Sequence, residues 1–118
     1  MVESIVQNKS FRFSIKIVRL YLRLMKNSEC RSIYEQILKS GTSIGANIAE
    51  AQRSQSARDF TAKMHIALKE ASETEYWLKL MYQTGLIHRS DYYELLNDCV
   101  ELLKILTAIV KTSKSKSI

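Results

Sequence analysis

Proline is absent from this 118-residue chain and glycine occurs only three times, so the backbone meets almost no interruption to helix formation. An all-α fold is expected. The two cysteines, Cys30 and Cys99, show no CxxC spacing and no clustered histidines beside them, which favours reduced structural thiols over a bridge or a metal site. No stretch approaches the roughly 18 to 20 unbroken apolar residues that a membrane span requires, and the opening MVESIVQNKS lacks the charged and apolar regions of a signal peptide. A cytoplasmic chain without a membrane partner is expected. The length suits one domain and is too short for two.

What the chain does contain is helical periodicity in four segments. The first runs from about Lys9 to Lys26, and Asn27 and Ser28 interrupt it. The second runs from about Glu29 to Arg53. Ser54 and Ser56 offer N-caps to a third that ends near Thr84, where Gly85 is the natural left-handed stop. Ser90 is expected to cap the fourth, which continues to about Lys111. The remaining TSKSKSI has nothing to bury, so the reading is one domain over 1–111 and a disordered basic tail over 112–118. Linkers this short make sequential helices antiparallel neighbours, and the simplest architecture is an up-down-up-down four-helix bundle.

The fourth segment is amphipathic, with Tyr92, Leu95, Leu96, Cys99, Leu102, Leu103, Leu106, Ile109 and Val110 in one arc and Glu94, Asp98, Glu101 and Lys104 outside it. The first is different. Phe13, Ile17, Leu20 and Leu24 form one apolar stripe, while Ile15, Val18, Leu22 and Met25 spread apolar surface over most of the circumference. Either this helix is the most central of the bundle, or a second protein surface covers it. Ile66, Trp77 and Leu80 form a similar second apolar side on the third segment, which favours self-association.

The same first helix carries the strongest electrostatic feature of the chain. Arg12, Lys16, Arg19, Arg23 and Lys26 recur at spacings of 4, 3, 4 and 3 with no acid between them, which stacks them in a stripe about 80° wide. Residues 1–28 hold six Lys/Arg and one Glu, residues 29–110 nine against eleven acids, and residues 111–118 three with none. The net charge of +6 therefore lies at the chain ends. A polyanion is one expected partner, through shape and charge, because no base-reading motif is present. A solvated face that keeps the protein soluble is the other reading.

The second segment contains GTSIGANIAEA, in which Gly41, Gly45 and Ala49 at intervals of four make a ridge of small residues. Each helical Gly costs roughly 1 kcal/mol, so a close approach of another helix backbone is expected there. Gln36, Ser40, Ser43, Asn47 and Glu50 form a polar stripe beside the ridge. Glu75 falls among Met64, Leu68 and Tyr82 on the third segment and must find a partner if buried. An inter-helix polar cluster involving Asn47, Glu50, Glu73 or Glu75 is expected, structural in role.

Catalytic spacings do not appear. A di-metal carboxylate bundle needs Glu-x-x-His, but Ala62 stands three before His65 and Gly85 three before His88. No phosphate-cradling glycine loop and no nucleophile elbow is present. The expectation is a protein that is not an enzyme, with no catalytic residues, metal or cofactor.

The run QILKSGTSIGANIAE from Gln36 to Glu50, then RSQSARDF from Arg53 to Phe60 and ALKEASETEYWLKLMYQTGLI from Ala67 to Ile87, resemble the four-helix-bundle family of 23S rRNA intervening-sequence proteins. The likeness covers nearly the whole chain, and Ser43-Ile44, Asn47-Ile48-Ala49-Glu50 and Glu73-Thr74-Glu75-Tyr76-Trp77-Leu78 carry its specificity. Ala51 departs from a common family Gly and bears only on where the second helix ends. The resemblance implies up-down bundles assembled as homopentamers. It also implies a relation to the accessory variability determinants of diversity-generating retroelements, basic pentameric barrels that associate with nucleic acid and with a reverse transcriptase as protein partner. The function expected is a basic homo-oligomer that binds structured RNA or DNA through Arg12, Lys16, Arg19, Arg23 and Lys26. The alternative is an oligomeric scaffold for a protein partner, with nucleic acid incidental.

Overall fold

The computed structural model describes residues 2–27 and 29–117, and side chains over 5–27 and 29–116. Four helices follow one another: α1 (Val2–Met25), α2 (Arg31–Ala51), α3 (Ala57–Gln83) and α4 (Arg89–Ser117). Among the described residues there is no strand, and no helix is long and apolar enough to cross a membrane. Each helix packs against its neighbour in sequence, α4 returns to α1, and α1 and α3 are not adjacent. The bundle is therefore square in section, with α1 and α3 at opposite corners.

Buried positions repeat at three and four residues, the spacing that keeps one seam of a helix turned toward its partners. In α2 they are Tyr34, Ile37, Ser40, Gly41, Ile44, Ile48 and Ala51; in α3 they are Met64, Ala67, Ala71, Thr74, Leu78 and Met81. Phe13, Ile17 and Leu20 of α1 and Leu95, Cys99, Leu102 and Leu106 of α4 complete the core. Ion pairs report the register. Lys9 meets Glu101 and Arg23 meets Asp91, so α1 and α4 run in opposite directions.

The junctions follow from local chemistry. Ser56 caps α3, its hydroxyl accepting the Asp59 N–H at 3.0 Å, whereas Ser54 lies outside the helix. Gly85 ends the α3 region at φ +77, a conformation that costs glycine little. There the Leu86 N–H donates to the Met81 carbonyl at 2.8 Å and the Gly85 N–H to the Tyr82 carbonyl at 3.2 Å, the paired bonds of a Schellman stop. Tyr82 stacks on Tyr92 across the turn, with ring centroids 4.2 Å apart.

Several boundaries differ from expectation. α1 begins at Val2 and not at Lys9, because Val6 and Ser10 continue its buried three-four spacing. α2 spans Arg31–Ala51, narrower than Glu29–Arg53, and Ala51 is its last buried residue. Ser28 lies outside the described residues. Ser90 is not a cap: α4 starts at Arg89, and the His88 carbonyl accepts the Tyr92 N–H at 2.9 Å. The tail expected to be disordered from 112 continues α4 to Ser117, with Ile118 outside the described residues. No breaker interrupts it, its lysines suit the negative end of the helix dipole, and Ser113 meets Thr61 of α3 through their hydroxyls.

Candidate nucleic-acid interface

α1 divides into three faces because its residues turn about 100° at each step. The core face carries Val6, Phe13, Ile17 and Leu20. The cations Arg12, Lys16, Arg19 and Arg23 lie toward α4, and Lys26, which the sequence reading put on the helix, stands in the turn just past Met25. The third face points away from the bundle and is apolar: Phe11, Ile15, Val18 and Leu22, with Phe11 and Leu22 keeping 68% and 60% of their surface exposed. Phe11 to Val18 and Ile15 to Leu22 are each one heptad apart, so this seam has the form of a coiled-coil face without a partner in the monomer. Phe11 and Ile5, also exposed, escaped the sequence reading, although the seven-residue repeat of Phe11 with Val18 carries the signal.

The cations do not form one free stripe. Lys16 Nζ lies 2.7 Å from Asp98 and 2.9 Å from Glu94. Those two carboxylates, Asp98 first, raise the Lys16 ammonium above its ordinary pKa. Arg23 pairs with Asp91 at 3.2 Å, and Lys9 with Glu101 at 3.2 Å. Arg12, Arg19 and Lys26 are exposed and have no ion pair among the described residues. The acids of α4 that the sequence places outside its apolar arc thus face the α1 row, and alternate cations along it are neutralised. Pairs as exposed as these contribute about 0–1 kcal/mol each, so they order the surface more than they stabilise the fold.

The small-residue ridge is divided too. At Gly41 an added Cβ would stand 2.9 Å from Ile17 Cγ1 of α1, and at Gly45 it would stand 3.3 Å from the backbone oxygen of Ser10. Ala49, the third member of the ridge, is exposed. The two glycines therefore bring α1 and α2 to close approach, and they hold the rotation of α1 that turns its apolar seam outward.

Asn47, Glu50, Glu73 and Glu75 do not converge, contrary to the expected cluster. Asn47 donates to the Ser43 carbonyl on its own helix at 2.8 Å. Glu50 pairs with Lys63 across α2 and α3 at 2.9 Å, Glu75 with Lys79 at 3.3 Å, and Glu73 accepts from Trp77 Nε1 at 3.0 Å. The core seam of α3 passes through Thr74, between the two glutamates. It is Thr74 Oγ1 that meets Ser40 Oγ at 3.0 Å in the buried interface.

At the opposite corner from α1, Ile66 and Tyr76 are exposed on α3 while Trp77 and Leu80 are half-buried. The Tyr76 and Trp77 rings meet edge to face with centroids 5.0 Å apart. One turn earlier stands Glu73, which accepts from Trp77, and before it Glu70, whose carboxyl is raised above its ordinary pKa by desolvation and then by the Glu73 charge. Cys99 is buried, donates to the Ala71 carbonyl at 3.3 Å, and has its thiol pushed up to about 12 by burial. Cys30 is free and half-buried. Among the described residues no three His, Cys, Asp or Glu side chains gather as a metal site would need.

Comparison with known proteins agrees with this architecture. A crystal structure of a protein with unknown function from the S23 ribosomal protein family of Bacteroides thetaiotaomicron superimposes with a TM-score of 0.90 and 48% sequence identity, covering 94% of this chain and 99% of that one. No curated protein matches the chain. The model of the 23S rRNA-intervening sequence protein family matches residues 2–108. With the match running through all four helices, the chain belongs to the 23S rRNA-intervening sequence protein family.

Proposed function

We propose that this protein is a non-enzymatic, cytoplasmic homo-oligomer that binds structured RNA or DNA through the positively charged face of α1. One observation carries the reading: α1 holds an exposed apolar seam beside a row of cations, continued by Lys26 just past its end, in which Arg12, Arg19 and Lys26 are unpaired among the described residues. The seam supplies a surface for self-association, and the α3 face of Ile66, Tyr76 and Trp77 at the opposite corner supplies its counterpart. Two different faces in contact make a head-to-tail assembly, which closes into a ring when the rotation permits. Five subunits is the number taken from the family resemblance. Repeating the cation row around such a ring multiplies phosphate contacts, and membership of the family supports association with nucleic acid.

A second reading has its own support. Asp91, Glu94, Asp98 and Glu101 neutralise Lys9, Lys16 and Arg23, which favours a scaffold whose main partner is a protein, with a reverse transcriptase the family analogy. The triple variant Arg12→Gln/Arg19→Gln/Lys26→Gln separates the two. Fluorescence anisotropy with a labelled RNA hairpin and a DNA duplex, between about 50 and about 150 mM salt, should show weaker binding and a salt slope smaller by about three. Binding equal to the parent protein would make the row a solvated face and leave the scaffold reading.

A further inference from the structure

Positive charge gathers at a second place, distinct from the α1 row. The hydroxyls of Thr61 and Ser113 touch, and α3 and α4 are antiparallel, so Arg58 stands level with Lys116, and Lys114 follows about half a turn inward. The Lys63–Glu50 pair likewise places Arg53, just past the end of α2, at that same end of the bundle. Arg53, Arg58, Lys111, Lys114 and Lys116 are all exposed there, and none enters an ion pair among the described residues. The cross-section of the molecule is 21 × 20 Å, so these five cations ring one narrow end of the bundle.

The contrast with α1 decides the inference. The α1 row faces four carboxylates of α4. At the bundle end, Glu50 is held by Lys63, and Asp59 sits in the first turn of α3, where the helix dipole stabilises it. The lysines of α4 have a structural reason to be where they are, since cations suit the end of a helix. Arg58 has none: it occupies the first turn of α3, where the dipole disfavours a cation. Nor does an ion pair or side-chain hydrogen bond among the described residues hold the Arg53 guanidinium. Because α4 remains helical to Ser117, its lysines are presented from a fixed support.

We propose that this end of the bundle is a second phosphate-binding surface, at which Arg53, Arg58, Lys114 and Lys116 neutralise backbone phosphates of an RNA or DNA helix without reading its bases. The proposal rests on the reading of the protein as a nucleic-acid binder and adds a site outside α1. Duplex DNA carries one charge per about 1.7 Å of axis, so a surface about 20 Å across faces on the order of ten phosphates, enough to engage every cation present. Arginine adds paired hydrogen bonds to phosphate oxygens, which lysine does not.

The test uses the full chain and the same labelled RNA hairpin and DNA duplex, with an end variant Arg53→Gln/Arg58→Gln/Lys114→Gln beside the α1 triple variant. Thermal melts followed by circular dichroism establish that both fold. The end variant should bind at least tenfold more weakly at about 150 mM salt and lose about three from the salt slope, for hairpin and duplex alike. An end variant that binds as the parent does, while the α1 variant fails to bind, overturns this proposal and leaves the α1 reading standing. A parent protein that binds neither probe overturns both. Binding to vesicles containing phosphatidylserine, with none to nucleic acid, would overturn it by assigning the surface to anionic lipid.

Discussion

Replacing Gly41 with alanine should have opposite effects in two backgrounds, and the geometry says why. Alanine gains about 1 kcal/mol over glycine in a helix interior. At position 41, however, the new Cβ would meet Ile17 Cγ1 at 2.9 Å, Cγ2 at 3.0 Å and Cδ1 at 3.2 Å. Ile17 is fully buried, and its branched side chain has no free end to swing aside. Overpacking of this kind costs about 1–3 kcal/mol, so Gly41→Ala should be a net loss of about 1 kcal/mol. In an Ile17→Ala background all three contacting atoms are gone. There the same Gly41→Ala change should stabilise by about 1 kcal/mol or slightly more, since the new methyl also fills part of the cavity. Urea unfolding of the four proteins in the cycle reads the coupling directly. Stabilisation by about 1 kcal/mol in both backgrounds would refute a close α1–α2 approach at Gly41.

Three further outcomes follow from the buried groups. Native protein should titrate one thiol with a disulfide reagent, Cys30, because burial pushes Cys99 up to about 12, and both should react in urea. Glu70 is raised above its unfolded value by desolvation, so folding favours its protonated form and its contribution to stability is lost as pH rises through the folded pKa. Glu70→Gln should accordingly raise the urea midpoint at pH 7 and leave it unchanged below the ordinary glutamate range. Thr74→Val should cost about 1–3 kcal/mol by leaving the buried Ser40 hydroxyl without its neighbour, and adding Ser40→Ala should recover part of that loss in a thermal melt.

The four helices were legible because their punctuation is local. Ser56 and Gly85 act within one turn of themselves, and the absence of proline leaves little else to end a helix. Helix ends held by neighbours were not legible: Val6 is buried by the bundle, and Ser113 meets a residue of α3, contacts that no local pattern announces. The expected polar cluster failed by one step of rotation. Thr74 faces α2, while Glu73 and Glu75 stand about 100° to either side and satisfy themselves on their own helix. The row of cations on α1 could be read from spacing, but the carboxylates opposite belong to α4. Which of them meet depends on a register set by packing.

Sedimentation velocity of the full chain with a labelled RNA hairpin at about 150 mM salt tests the central claim most directly. The account predicts a single protein boundary at several times the 13.6 kDa subunit mass, with the label moving in that boundary and released as salt rises. A boundary at the subunit mass, or an oligomer that leaves the RNA behind, would contradict it.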